Sequence, residues 1–105
     1  MALSHAKPGE VVNLCAEEIT PDRTAALVKT SSFEAVRLVV QAEREIPWHQ
    51  VPKALTLYCI RGDVILRTET REIQLRAGEW VFLEGGTRHA LAARVDSTLL
   101  LTIML

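Results

Sequence analysis

Two of the three histidines have surroundings in which an imidazole could do chemistry. His49 follows Pro47-Trp48 and precedes an apolar segment, and His89 comes three residues after Gly86 and opens another. If these segments are strands of one barrel, two hairpins can bring the imidazoles together across the lumen. Paired imidazoles in an apolar cavity are suited to metal binding or to acid–base chemistry. His5 lies in a polar N-terminal stretch, and we expect it to be solvated.

Short apolar runs separated by turn residues predict the elements that would position these histidines. Beyond residue 10 the runs recur about every 8–12 residues, with Gly, Pro and Asp between them, which is typical of a sandwich or barrel. Gly62 lies between two such runs, where glycine supplies the positive φ of a tight hairpin. Helical periodicity is not sustained anywhere, although residues 17–22 could form a single turn. We expect residues 33–105 to form a barrel domain and residues 1–32 an N-terminal arm with peripheral strands.

Composition and charge argue against several classes of protein. The chain has 105 residues, of which 49% are hydrophobic and 24% charged, as in a single globular domain. Twelve basic and 13 acidic residues give a net charge of −1, so we expect no nucleic-acid partner and no membrane attachment. We find no secretory signal, and no apolar run approaches the roughly 18–20 residues that span a bilayer. Cys15 and Cys59 form no CxxC motif, and we expect both to be reduced and buried in a cytoplasmic protein.

The segments around the two histidines resemble the two sequence motifs of the cupin superfamily. The first family motif runs His, any residue, His, three or four residues, Glu, six residues, Gly, and segment 49–62 is similar to it. The second runs Gly, five residues, Pro, any residue, Gly, two residues, His. Gly78, Gly86 and His89 match this second motif, and Glu84 stands where Pro is usual. The resemblance implies an all-β, RmlC-like fold, the cupin double-stranded β-helix or jelly-roll barrel.

The chain departs from that family at positions that hold a metal. Cupins that bind a divalent metal use both histidines and the Glu of the first motif together with the histidine of the second. Counting back from Gly62 places Val51 and Leu55 at two of these positions, and neither side chain can donate a lone pair. His49 and His89 alone fall short of the three or four protein ligands of durable sites. We therefore expect no tightly held metal and no other cofactor. If a metal binds at all, these two histidines hold it, and the carboxylates that could complete the site are Glu43, Glu45 and Glu84.

The expected function is the binding of a small, partly apolar molecule in the barrel lumen. With Val51 and Leu55 in the metal positions, the lumen is more apolar than the enzyme sites that the resemblance implies. Leu57 and Cys59 share the alternation of Leu55, and Cys59 is expected to act as a small buried hydrophobe, because no neighbouring base would lower its pKa. The residues predicted to contact the ligand are His49, His89, Leu55, Leu57, Cys59, Phe82 and Trp48.

Three other roles stay open at this point. The histidines could serve packing alone, each ring donating to a backbone carbonyl. The chain could be a metal-dependent dioxygenase or isomerase whose missing ligands come from other residues. It could also be a metal-free acid–base enzyme similar to the cupin-type sugar epimerases, which would require a carboxylate within hydrogen-bond reach of His49 or His89. The sequence does not decide whether the chain is an enzyme.

The C-terminal apolar run predicts contact with a second copy of the chain. Alternate residues of segment 99–105 are aliphatic on one face, and Leu100 and Met104 keep the other face mostly apolar. A strand that is apolar on both faces needs a second cover. A two-fold contact would bury the same strand from both chains. We expect a homodimer with Leu100 or Met104 in or near the contact.

Overall fold

Antiparallel strands make up the regular structure of the described part of the chain, residues 5–15 and 23–105 of a computed structural model. The strands are β1 (Ala25–Lys29), β2 (Phe33–Val40), β3 (Glu45–His49), β4 (Leu55–Arg61), β5 (Asp63–Thr68), β6 (Glu72–Arg76), β7 (Trp80–Leu83), β8 (His89–Ala93) and β9 (Ser97–Met104). The single helical turn predicted within residues 17–22 falls outside the described residues. Within the described ranges, no helix is long and apolar enough to cross a membrane.

The strands form two sheets that pack face to face. The five-stranded sheet has the order β1-β2-β9-β4-β7, and the four-stranded sheet has the order β3-β8-β5-β6. Every strand pairs with its neighbours in antiparallel fashion. The chain passes repeatedly between the two sheets, as it does in a jelly roll. The all-β jelly-roll fold expected from the sequence is confirmed.

The core lies between the inner faces of the two sheets. Alternation along β4 buries Leu55, Leu57 and Cys59, and the register places Leu57 and Cys59 beside Leu101 and Leu99 of β9. Burying each large aliphatic side chain contributes about 1.5–3 kcal/mol to stability. The buried hydrophobic core consists of Val40, Leu55, Leu57, Cys59, Val64, Leu66, Leu75, Leu83, Leu91, Ala93 and Leu99.

Strand β7 turns Phe82 away from this core. Leu83 is buried and Val81 packs against the core, whereas Phe82 is 52% exposed and lies opposite Thr56 on the outer face. The prediction that Phe82 lines the lumen is therefore wrong. The prediction failed because all residues of β7 are apolar, so the strand has no polar–apolar alternation from which its orientation could be predicted.

The N-terminal segment lies against the outer face of the five-stranded sheet. Arg37 Nε donates to the Leu14 carbonyl at 3.2 Å, and Arg61 Nη2 donates to the Cys15 carbonyl at 3.4 Å. Arg37 is 1% exposed although it belongs to the outer face of β2. The Cys15 side chain is exposed, in contrast to Cys59. The expectation that both cysteines are buried is wrong for Cys15, because its backbone carbonyl rather than its thiol makes the contact with the sheet.

The turn between β4 and β5 depends on Gly62, and the positive φ expected there is confirmed at +105°. The prediction that this turn closes a hairpin is wrong, because β4 and β5 belong to different sheets and do not pair. A Cβ at this position would lie 2.6 Å from Cα of Ser97 at the start of β9. The Ser97 hydroxyl accepts from Asp63 N at 3.0 Å and donates to the Val95 carbonyl at 2.8 Å. The absence of a side chain at Gly62 thus lets this turn pack closely against the buried Ser97.

Candidate functional site

His49 and His89 are cross-strand neighbours in the four-stranded sheet. His49 ends β3, His89 opens β8, and the two residues are register partners. Their ring centroids lie 4.2 Å apart with the ring planes inclined by 60°. The two imidazoles are therefore brought together, side by side on adjacent strands rather than across the lumen.

An irregularity in β3 decides which residue lies beside His89. Regular pairing counted from Ile46 would place Trp48 opposite His89, but the register shifts by one residue between Ile46 and His49. Bulges of this kind re-aim the side chains that follow them. Pro47 lies in the shifted stretch, and β3 is an edge strand, where a residue without a backbone N–H is tolerated. The bulge thus gives His49, in place of Trp48, the position beside His89.

Each imidazole is held by a hydrogen bond to the backbone carbonyl of the residue two positions before it. His89 Nδ1 donates to the Thr87 carbonyl at 2.8 Å, and His49 Nδ1 donates to the Pro47 carbonyl at 2.9 Å. Because a carbonyl oxygen can only accept, the hydrogen of each neutral ring is assigned to Nδ1. The lone pair of each neutral ring is then on Nε2. These are the contacts that the packing alternative requires, but they use only one nitrogen of each ring.

His89 is nearly buried yet keeps one nitrogen accessible. The residue is 4% exposed, and burial lowers its pKa, which the Thr87 carbonyl raises and neighbouring His49 lowers further. Within residues 5–15 and 23–105, no buried side-chain nitrogen or oxygen is without a hydrogen bond. Since the only hydrogen bond of the His89 ring there is made by Nδ1, Nε2 reaches solvent. His89 therefore offers a neutral acceptor at the surface of an otherwise buried ring.

The loops at this end of the barrel bring aliphatic residues near the histidines. Leu55 opens β4 after the loop that follows His49, and Leu83 ends β7 before the loop that leads to His89. The two loops are joined by a hydrogen bond from Gly86 N to the Val51 carbonyl at 2.8 Å. Leu55 is buried, and Val51 is half-buried against the core. This end of the barrel thus carries the two imidazoles together with the half-buried Val51 and the buried Leu55.

Two other predicted site residues lie farther from the histidine pair. Leu57 is one inward position deeper along β4, and Cys59 follows it toward the opposite end of the strand. The Cys59 thiol donates to the Arg61 carbonyl at 3.4 Å, and burial raises its pKa, with Asp63 and Glu79 adding smaller contributions. Cys59 is consequently protonated at neutral pH and remote from the imidazoles.

Sequence reasoning missed two residues beside the histidines. The Arg88 guanidinium lies 5.7 Å from the ring centroid of Trp48, which is partly exposed. Thr68 of β5 is the register partner of His89 on the side away from His49. Thr68 lies beside His89 because two distant segments pair, and the local sequence does not show that pairing. For Arg88, the one available signal was its position immediately before His89.

Solved structures of other proteins have folds similar to that of this chain. A conserved protein of unknown function from Streptococcus pyogenes matches with a TM-score of 0.81 at 18% identity, over 99% of this chain and 94% of that one. A cupin superfamily protein from Desulfitobacterium hafniense matches with a TM-score of 0.76 at 11% identity, over 79% and 76% of the two chains. An RmlC-like cupin from Shewanella frigidimarina matches with a TM-score of 0.72 at 17% identity, over 77% and 73%. The chain has a cupin fold.

At identities of 11–18% these similarities concern the fold. No model of a known protein family and no curated protein sequence matches the chain. The resemblance that the two histidine segments bear to the cupin motifs is thus confirmed at the level of the three-dimensional fold.

The metal-ligand set of the metal-binding cupins does not fit this chain. Among the residues that the structure describes, no group of three or more His, Cys, Asp or Glu side chains could hold a metal ion. Of the carboxylates considered as replacements, Glu45 faces Arg67 at 3.9 Å, and neither Glu43 nor Glu84 joins the histidines in such a group. Two imidazoles remain, whereas a durable metal site has three or four protein ligands.

Proposed function

We propose that this cupin-fold protein binds a small, partly apolar molecule at the end of the barrel where His49 and His89 meet. The observation that carries the proposal is the arrangement of the two rings, each fixed through Nδ1 with Nε2 left as an acceptor. A ligand hydroxyl, amide or ammonium group can donate to these nitrogens, while the half-buried Val51 offers contact to an apolar portion.

The same geometry gives less support to the enzymatic alternatives. A metal-free acid–base mechanism needs a carboxylate beside a histidine, whereas the Nδ1 atoms of His49 and His89 are bonded to backbone carbonyls. Packing alone accounts for these Nδ1 contacts, but it gives no role to an Nε2 atom that reaches solvent. The described cysteines are unpaired, which is in keeping with a reducing compartment, and we include a cytoplasmic location in the proposal.

Binding in this proposal requires no tightly held metal. Elemental analysis of protein purified without a chelator or a histidine tag should give well below one Zn, Mn, Fe or Ni per chain. The measurement would contradict the proposal if it returned about one metal per chain and if this metal were lost from the His49→Ala, His89→Ala double variant.

A fragment screen followed by NMR tests the binding itself. Small aliphatic and aromatic alcohols and amides are the probes, and we expect them to shift the backbone resonances of His49, Val51 and His89. His49→Ala should weaken the best probe about fivefold, since one hydrogen bond contributes about 1 kcal/mol. His5→Ala removes a histidine outside the site and should leave the affinity unchanged. Probes that bind elsewhere, or none that bind at millimolar concentration, would refute the proposal.

A further inference from the structure

The histidine pair offers two hydrogen-bond acceptors and no donor. The hydrogens on Nδ1 of His49 and His89 are taken by the Pro47 and Thr87 carbonyls, at 2.9 and 2.8 Å. Within residues 5–15 and 23–105, neither ring makes a further hydrogen bond. Both Nε2 atoms therefore carry a lone pair and no hydrogen, and neither imidazole can donate to the other.

The backbone holds both rings in this tautomer. Moving the hydrogen to Nε2 would set the Nδ1 lone pair against a carbonyl oxygen at hydrogen-bond distance. The Thr87 carbonyl is itself fixed, because the Thr87 hydroxyl donates to the Glu84 carbonyl at 2.7 Å and anchors the loop. Burial also lowers the pKa of His89, which keeps this ring neutral at pH 7.5.

The two acceptors can be shared by one small ligand group. His49 and His89 are register partners on adjacent strands, and their ring centroids lie 4.2 Å apart. Two lone pairs brought this close repel each other. A ligand group that donates to both removes this repulsion, whereas a group with a single hydrogen satisfies one nitrogen and covers the other. Covering an acceptor without pairing it costs affinity.

The surrounding charges disfavour an ammonium group as this donor. No carboxylate joins the two imidazoles in a group of three potential ligands within the described ranges, and Glu45 faces Arg67. The nearest charge along the chain is the Arg88 guanidinium, which lies 5.7 Å from the ring centroid of Trp48. An ammonium placed here would lose its hydration without gaining a counter-charge, and that loss is costly.

The remaining polar groups differ in the number of hydrogens they offer. Carboxylates, esters and ketones only accept, so their lone pairs would face those of the imidazoles. A hydroxyl has one hydrogen. A primary carboxamide carries two hydrogens on one nitrogen and is uncharged. It is thus the group that matches a neutral pair of acceptors without a nearby carboxylate.

We propose that the ligand of this site is a small primary carboxamide, which donates one N–H to Nε2 of His49 and the other to Nε2 of His89. The half-buried Val51 contacts its apolar portion. This inference rests on the binding function proposed above and narrows the ligand from any donor to one chemical class.

A series of amides that differ only in their N–H groups tests the proposal. Benzamide, N-methylbenzamide and N,N-dimethylbenzamide carry two, one and no N–H, and their affinities are measured by NMR titration at pH 7.5. Each lost N–H should weaken binding about fivefold, as expected for one hydrogen bond. Benzoate and benzylamine keep the ring but are charged, and each should bind at least about tenfold more weakly than benzamide.

The same series on His49→Ala separates hydrogen bonding from the added bulk of the methyl group. With one acceptor left, N-methylbenzamide can satisfy it as well as benzamide does, so the difference between these two probes should disappear. His5→Ala is the matched control, because it removes a histidine outside the site, and it should keep the fivefold difference. Circular dichroism shows whether each variant is folded.

The outcomes distinguish this inference from the binding function on which it rests. N,N-dimethylbenzamide that binds at the histidine end as tightly as benzamide overturns the inference and leaves the binding function standing. Tighter binding of benzoate or benzylamine than of benzamide has the same consequence, as does an undiminished difference between the two amides in His49→Ala. If no probe shifts the resonances of His49 or His89 at millimolar concentration, both proposals are wrong.

Discussion

Replacing Gly62 by alanine tests two requirements of the turn between β4 and β5, a positive φ and a close approach to Ser97. The backbone has a φ of +105°, a region that L side chains rarely adopt, and the new Cβ would lie 2.6 Å from Cα of Ser97. The clash involves backbone, so a change of rotamer cannot relieve it. The turn must move away from β9, which weakens the hydrogen bond from Asp63 N to the Ser97 hydroxyl.

The expected loss of stability has a conformational and a steric part. Forcing a non-glycine residue into a sparsely populated region costs about 1–3 kcal/mol. Inserting a methyl group into a packed site costs a further 1–3 kcal/mol, approximately. The two parts together cost about 2–6 kcal/mol. Since about 1 kcal/mol shifts the melting temperature of a domain of this size by roughly 4–8 °C, Gly62→Ala should melt at least about 8 °C below the wild type.

Gly78 provides the matched control for the conformational part. Its φ is +88°, but a Cβ there would meet nothing within 4 Å, so Gly78→Ala carries the conformational cost alone. Urea denaturation of both variants, followed by circular dichroism, should show Gly62→Ala to be less stable than Gly78→Ala by about 1–3 kcal/mol. Equal free energies of unfolding for the two variants would refute the steric reasoning.

Three further predictions concern the histidine end of the barrel. Because burial lowers the pKa of His89 below its ordinary value of 6.5, the unfolded chain takes up the proton first as the pH falls. The melting temperature should therefore decrease from pH 7.5 to pH 5, and it should decrease less in His89→Gln than in the wild type. An equal decrease in the two proteins would contradict a lowered pKa for His89. Nitrogen NMR at pH 7.5 should find the His89 hydrogen on Nδ1, and a hydrogen on Nε2 would contradict the hydrogen bond to Thr87. Leu55→Glu buries a carboxylate, which costs several kcal/mol, so that it should lower the melting temperature in a chelator, and zinc should restore part of the loss. An unchanged melting temperature in both conditions would show that position 55 faces solvent.

Alternation in the sequence was sufficient to predict the orientation of β4. Leu55, Leu57 and Cys59 alternate with Thr56 and Tyr58, and the first three face the core. The two histidine segments, with glycines at the spacing of the cupin motifs, predicted the jelly roll and identified His49 and His89 as a pair.

Other features depend on information that alternation does not contain. Strand β7 is apolar at every position, so that only its pairing with β4 shows that Phe82 and Trp80 face outward. The bulge between Ile46 and His49 is a property of two paired strands, and it decides whether Trp48 or His49 lies beside His89. Neither feature could be predicted from local sequence, because both are set by tertiary register.

The buried thiol of Cys59, near the C-terminal end of β4, allows transient opening of the folded barrel to be measured by chemical labelling. Cys59 has no exposed surface, and burial keeps its thiol protonated, so an alkylating reagent can attack it only while the strand is transiently uncovered. Cys15 is exposed in the same molecule and reports how fast the reagent reacts without any such barrier. The ratio of the two labelling rates therefore measures the equilibrium population of molecules in which the barrel has opened, under conditions where the great majority are folded.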